Sequence, residues 1–137
     1  MVRRFRLIEH TADMGLVAYG ESLVEAFANA GYGLFSLIVE PNKVREMESR
    51  KVIVQARDAE SLLFNWINEL IYIFEVERLL FKSFDITKFT DHSLEATCRG
   101  EKYDPSRHQL RTGVKSATYH MLKVDGEKNR VQVIFDV

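Results

Sequence analysis

This 137-residue chain is poor in the residues that advertise a particular chemistry. Its single cysteine, Cys98, excludes an internal disulfide and a cysteine-rich zinc cluster. Cys98 lies in an alternating run and reads as a small core residue rather than a catalytic thiol. Only two prolines and seven glycines are present, so no Pro/Gly-rich linker divides the chain. No internal repeat or low-complexity segment does so either. Neither sign of charge dominates: 19 basic against 20 acidic side chains leave a net charge of −1. A global basic field for nucleic acid is therefore missing, and strong direct nucleic-acid binding is not expected; any such contact must be local. No apolar stretch is long enough to span a membrane, and no apolar core of a signal peptide follows Met1. The chain reads as cytoplasmic. No phosphate-cradling glycine loop occurs, since Gly31-Tyr32-Gly33 falls inside a helical pattern, and no nucleophile elbow occurs.

What is present is the composition of one globular domain, with 46% apolar and 28% charged residues. Phe5 to Glu9 and Met14 to Gly20 read as strands, with His10 to Asp13 connecting them. Ser22 and Glu25 form a capping box, and apolar residues at helical spacing run from Leu23 to about Glu40. Gly31 and Gly33 weaken that helix and so point to close packing against a neighbour. Pro41-Asn42 ends it. Val52-Ile53-Val54 is a strand centre after a charged stretch from Lys43 to Lys51. Asp58 caps a second helix whose apolar face, Leu62 to Phe74, is broad enough to lie on a sheet. From Phe81 the period changes to two. Phe81 to Phe89, Ser93 to Tyr103, Gly113 to Val124 and Arg130 to Asp136 read as strands, with Gly126 and Asn129 around the last turn. The fold expected is α+β: a single domain, residues 1–137, with two helices packed on a largely antiparallel sheet of about seven strands.

Chemistry gathers near the ends. Asp13 precedes a glycine in a strand connection, where an aspartate commonly caps its own backbone in an Asx turn. Asp136 stands on the last strand beside the final residue, Val137. Alternation puts Val131, Val133, Phe135 and Val137 on one face, and Gln132, Ile134 and Asp136 on the other. If folding brings Asp13 to Asp136 and the terminal carboxylate, three hard oxygen donors converge, as Mg²⁺ or Ca²⁺ prefers. Lys115 reads as a solvated edge lysine on the face of Ala117, Tyr119 and Met121. His120, on the opposite face with Thr118 and Leu122, reads as a hydrogen-bonded histidine in or near the core. His10 could orient its connection or meet a ligand. His92 and His108 lie in polar, loop-like stretches without special signal.

Four blocks then stand out together. They are His10-Thr11-Ala12-Asp13-Met14-Gly15, residues 62–72 (LLFNWINELIY), Val114-Lys115-Ser116-Ala117-Thr118-Tyr119-His120, and Ile134-Phe135-Asp136-Val137. In this order, over nearly the whole chain, they resemble the archease family. Ser116 departs from the alanine expected after the lysine. The resemblance implies a protein without catalysis of its own that activates the RtcB-type tRNA-splicing ligase. That ligase attaches GMP to its own histidine and then activates an RNA 3′-phosphate for joining. The implied role is to promote guanylylation and multiple turnover and to loosen nucleotide specificity. Also implied is a divalent-metal site of Asp13, Asp136 and a backbone or terminal oxygen of Val137. Calcium is the expected ion, with Mg²⁺ or Mn²⁺ as alternatives. Lys115 is implied in activation, with His10 at the same partner-facing end. Two other readings compete. An RNA-binding or general chaperone module needs a basic patch interleaved with aromatics, and the one dense basic cluster, Arg3-Arg4-Phe5-Arg6, is split across two strand faces by alternation. A metal-dependent phosphoester hydrolase on Asp13 and Asp136 needs a general base and a pocket that no motif identifies.

Overall fold

A computed structural model describes residues 4–10 and 13–137, without the side chains of Glu9 and His10. Thr11, Ala12 and Arg3, which enter the expectations above, lie outside the described residues. The elements follow in order as β1 (Phe5–His10), β2 (Asp13–Tyr19), α1 (Leu23–Ile38), β3 (Glu48–Gln55) and α2 (Ala59–Glu77). They continue as β4 (Leu79–Phe89), β5 (Ser93–Lys102), β6 (Ser116–Asp125) and β7 (Arg130–Asp136). A single 3₁₀ turn, Pro41–Lys43, follows α1.

Both helix starts form as the sequence dictates. Ser22 Oγ accepts from the Glu25 N–H at 3.1 Å, and Glu25 reaches back to the Glu21 N–H. Asp58 Oδ1 accepts from the Ser61 N–H at 2.8 Å. Each satisfies a donor that the first helical turn cannot bond internally. At the other end of α2, Arg78 adopts φ 59°, and its N–H returns to the Phe74 carbonyl, so the chain reverses directly into β4.

The expected α+β domain of two helices and seven antiparallel strands is present, but the strands divide between two sheets. One has the order β1-β2-β7-β6 and the other β3-β5-β4. The division arises in residues 103–115, which leave one sheet, cross the end of α1 and enter the other. There the Arg111 and Thr112 N–H groups donate to the Ile38 and Leu37 carbonyls, two that the last turn of α1 leaves open. Those bonds also explain why β6 starts at Ser116 rather than Gly113. β3 begins earlier than its apolar centre suggests, at Glu48, because it is an edge strand and tolerates charge.

The helices form a layer between the sheets: α1 packs on β2 and β4, and α2 on β6 and β3. Beyond its first turn, burial accordingly covers most of α1 and leaves only a stripe through Ala28, Asn29, Tyr32 and Ser36 partly open. Gly31 and Gly33 serve the close packing expected of them. A Cβ on Gly31 would come 3.0 Å from the Phe84 ring, and one on Gly33 would come 2.7 Å from Leu16. Trp66, fully buried, joins the helices by donating Nε1–H to the Phe27 carbonyl at 2.9 Å. Cys98 is a core residue, and burial pushes its thiol up to about 12, which removes it as a nucleophile.

One buried polar cluster anchors the crossing segment. His108, which carried no signal in the sequence, is 3% exposed and shares its Nε2 proton with Glu101 Oε2 at 2.9 Å. Its Nδ1 accepts from the Asp104 N–H, which fixes the tautomer. Glu101 also accepts from the Arg45 N–H and from the Arg45 and Arg107 guanidinium groups. Burial alone would raise this carboxyl, but the Arg107 and Arg45 contacts and His108 outweigh it and hold it at about 2. A depressed carboxyl stabilises the fold above its unfolded value and loses that contribution as pH falls toward the folded value. Glu101→Gln should therefore lower the melting temperature at pH 7, by an amount reflecting roughly 3 kcal/mol. The gap to the native chain should narrow between about pH 5 and pH 2. Thermal melts across that range check both statements.

Candidate functional site

The site is assembled by strand register. β2 pairs with β7 up to Met14 opposite Phe135, so the next residues on the two strands are Asp13 and Asp136. On the other side of β7, Ser116 lies opposite Asp136, and the Lys115 N–H donates to the Asp136 carbonyl at 2.8 Å. β1 closes the row by placing His10 opposite Asp13. Three of the four sequence blocks thus meet at one end of the four-stranded sheet. Directly opposed residues share a face, so Asp13, Asp136 and Ser116 belong to the face turned away from the helices. The helix face at this level carries Met14, Phe135 and Ala117.

Asp13 is the first residue of β2, and no hydrogen bond to its carboxylate occurs among the described residues. The Asx turn expected from its neighbours is replaced by strand pairing. Asp136, Lys115 and Val137 are exposed, and Asp13 is half-buried. Outer-face packing beside them explains Gly15. A Cβ there would lie 2.8 Å from Ile134 Cδ1 and 3.1 Å from Ile8 Cβ, so glycine lets both side chains close over β2.

The fourth block supplies support from beneath. Asn68, on α2, accepts the Ala117 N–H through Oδ1 at 2.8 Å. This bond holds the start of β6, and with it Lys115, against the helix layer. Asn68 is a residue whose task the sequence does not reveal; the available signal is an amide beside the broad apolar face of α2. Phe64, one turn earlier, stacks on Tyr119 with ring centroids 4.1 Å apart.

His120 departs from expectation. Strict alternation put it in or near the core, but it is exposed. Between Thr118 and Lys123 the pairing of β6 with β7 shifts, so residues 119–122 lie against Val133 alone. Met121 takes φ 56° within this excursion, and its carbonyl accepts from Gln132 Nε2 at 2.9 Å. Such a bulge breaks the period of two that assigns faces. Lys115 precedes the bulge and is exposed as expected.

The donor chemistry suits a hard divalent cation to a limited degree. Two carboxylates stand next to each other across neighbouring strands on one face, and Val137 follows with its own oxygens. No cluster of three His, Cys, Asp or Glu side chains that could hold a metal occurs among the described residues. A cation here would draw most of its six to eight oxygens from water or from a partner. Among the described residues, no helix is long and apolar enough to cross a membrane. For the site's support, Asn68→Leu should cost about 1–3 kcal/mol because it strands the Ala117 N–H. Asn68→Asp, which keeps the acceptor, should retain most of it; chemical denaturation of both variants measures the difference.

Residues 5–137 match the model of the Archease protein family. A protein archease of Pyrococcus abyssi is 42% identical over 127 residues, covering 90% of this chain and 89% of that protein. One from Sulfurisphaera tokodaii is 38% identical and covers 99% of both. Among solved structures, Methanobacterium thermoautotrophicum protein 1598 superposes with a TM-score of 0.80 at 33% identity, covering 98% of this chain and 99% of that one. The crystal structure of an archease from Thermotoga maritima, described as a possible chaperone, shares the fold with a TM-score of 0.63 at 21% identity. It covers 100% of this chain and 98% of that one.

Proposed function

The chain belongs to the archease family, and on that premise we propose that it is a non-enzymatic activator of an RtcB-type tRNA-splicing ligase in the cytoplasm. The observation that carries this reading is the convergence of Asp13, Asp136 and Lys115 at one sheet end. Lys115, Asp136 and Val137 are exposed there and so are open to a partner. Phosphoryl transfer depends mainly on positioning and on charge stabilisation. A small protein that brings charge to another enzyme's active-site mouth can therefore assist without reacting itself.

In this reading Asp13, Asp136 and an oxygen of Val137 hold a divalent cation, calcium first and Mg²⁺ or Mn²⁺ as alternatives. The bound ion supplies positive charge and open coordination positions for oxygen ligands. Lys115 adds a flexible, exposed cation at the same end of the sheet and suits a nucleotide phosphate or an acidic side chain of the ligase. The end of the sheet enters the ligase at the site of guanylylation and favours the state competent for GMP attachment.

The test is multiple-turnover RNA ligation by the cognate ligase with GTP and Mn²⁺, with and without the protein. The native chain should stimulate turnover. Asp13→Ala, Asp136→Ala and Lys115→Ala should each remove most of the stimulation while melting as the native chain does. No stimulation by the native chain contradicts the reading. A second check reads metal binding alone. Ca²⁺ at about 100 times its Kd should stabilise the native chain by about 2.7 kcal/mol. That appears as a rise of several degrees in melting temperature, absent in Asp13→Ala.

A further inference from the structure

A groove elsewhere on the molecule has a different character. It runs between β1 and β4, one edge strand of each sheet, and its floor is the open stripe of α1. The cavity is about 440 Å³, within the size range of small-molecule sites. Arg4, Asn29, Tyr32, Lys82, Phe84 and Glu46 line it.

We propose that this groove binds a nucleotide unit, with its phosphate between Arg4 and Lys82 and its base against Tyr32 and Phe84. Both cations are available: among the described residues neither forms an ion pair. Arg4 is set in place by its backbone, whose carbonyl accepts from the Tyr19 N–H at 2.9 Å. Its guanidinium lies 4.4 Å from the centre of the Tyr32 ring. Lys82 is the extra residue where β4 slips register against β5, between Phe81 and Ser83. Bulges of this kind re-aim a side chain, and they gather near functional sites.

The aromatic wall is rigid. Phe84 packs against Phe35, Phe81 and Trp66, and its close seat on α1 depends on Gly31. Rings and guanidinium planes accept any base by stacking, which makes such sites tolerant of sequence. Asn29 donates one amide N–H to the Tyr19 carbonyl at 2.6 Å and keeps Oδ1 as an acceptor for a base N–H. Glu46 bonds Ser83 Oγ at 2.5 Å. Its charge disfavours a triphosphate, and its free lone pairs suit ribose hydroxyls, so a monophosphate unit fits best. The basic cluster near the start of the chain thus acquires an aromatic partner from α1, 28 positions beyond Arg4 in sequence, which strand alternation does not reveal.

The unit can come from a free nucleotide or from single-stranded RNA, and titration of the isolated full chain separates the two. The probes are GMP, a fluorescein-labelled octauridylate with a 3′-phosphate, and inorganic phosphate. Saturable binding of GMP or the RNA is expected below about 1 mM, and RNA binding should weaken with added salt. Lys82→Glu and Tyr32→Leu should each weaken binding at least about fivefold, within the range of losing one stacked base or one phosphate contact. Both should melt as the native chain does, and Asp13→Ala should bind normally. RNA binding at least tenfold tighter than GMP identifies the strand as the ligand; equal affinity identifies the free nucleotide. The proposal is overturned by no binding of either probe up to about 1 mM, by both variants binding at full strength, or by inorganic phosphate matching GMP. Because Asp13 and Lys115 take no part, failure here leaves ligase stimulation untouched, and the converse also holds.

Discussion

The register of β7 between β2 and β6 is the constraint from which the rest of the molecule follows. A β-ladder moves by whole residues, and a slip of one would turn every side chain of a strand to the opposite face. Here such a slip would expose Val131, Val133 and Phe135, all essentially fully buried, and drive Asp136 toward the helices. The core therefore fixes the register, and the register fixes which residues meet at the sheet end. Asp13 and Asp136 stand together because Met14 and Phe135, one step inward, are core partners. The placement of the two carboxylates is thus a by-product of apolar burial, at no separate cost in ordering the chain.

Support for that register comes from the helix layer. A helix pressed between two sheets has little open surface, which explains the small residues along α1 and the broad apolar face of α2. Trp66 ties α2 to α1, and Asn68 ties α2 to the first paired residues of β6. The segment before β6 carries Lys115, and it is held upstream by the α1 carbonyls and by the His108–Glu101 cluster. Displacement of Lys115 thus requires breaking bonds on three elements. By contrast, the groove of Arg4, Tyr32 and Lys82 forms where the layering stops, between one edge strand of each sheet.

Much of this was legible in the sequence. Capping signals at Ser22 and Asp58 located both helices, and alternation in residues 130–136 assigned the faces of β7 correctly. Family resemblance pointed to Asp13, Asp136 and Lys115, and pairing explains why blocks so distant in sequence belong together. What escaped had physical causes. Nothing local marks the division into two sheets, because it depends on which carbonyls residues 111 and 112 happen to reach. His120 was placed inward because the four-residue excursion of β6 resets alternation without a glycine or proline to announce it. His108 and Glu101 look like loop and strand polar residues until they meet in the interior. Asn68 and the Arg4–Tyr32 contact likewise pair residues from separate elements, which periodicity does not address.

The central claim is that the sheet end built by β2, β7 and the lead into β6 faces the ligase. Hydrogen–deuterium exchange of the chain, free and with saturating cognate ligase, reads this directly from the backbone. The account predicts slowed exchange at residues 10–15, 114–117 and 134–137, with the outer face of the three-stranded sheet unchanged. Protection confined to β3, β4 or the groove over α1, with the carboxylate end exchanging as in the free protein, would contradict it.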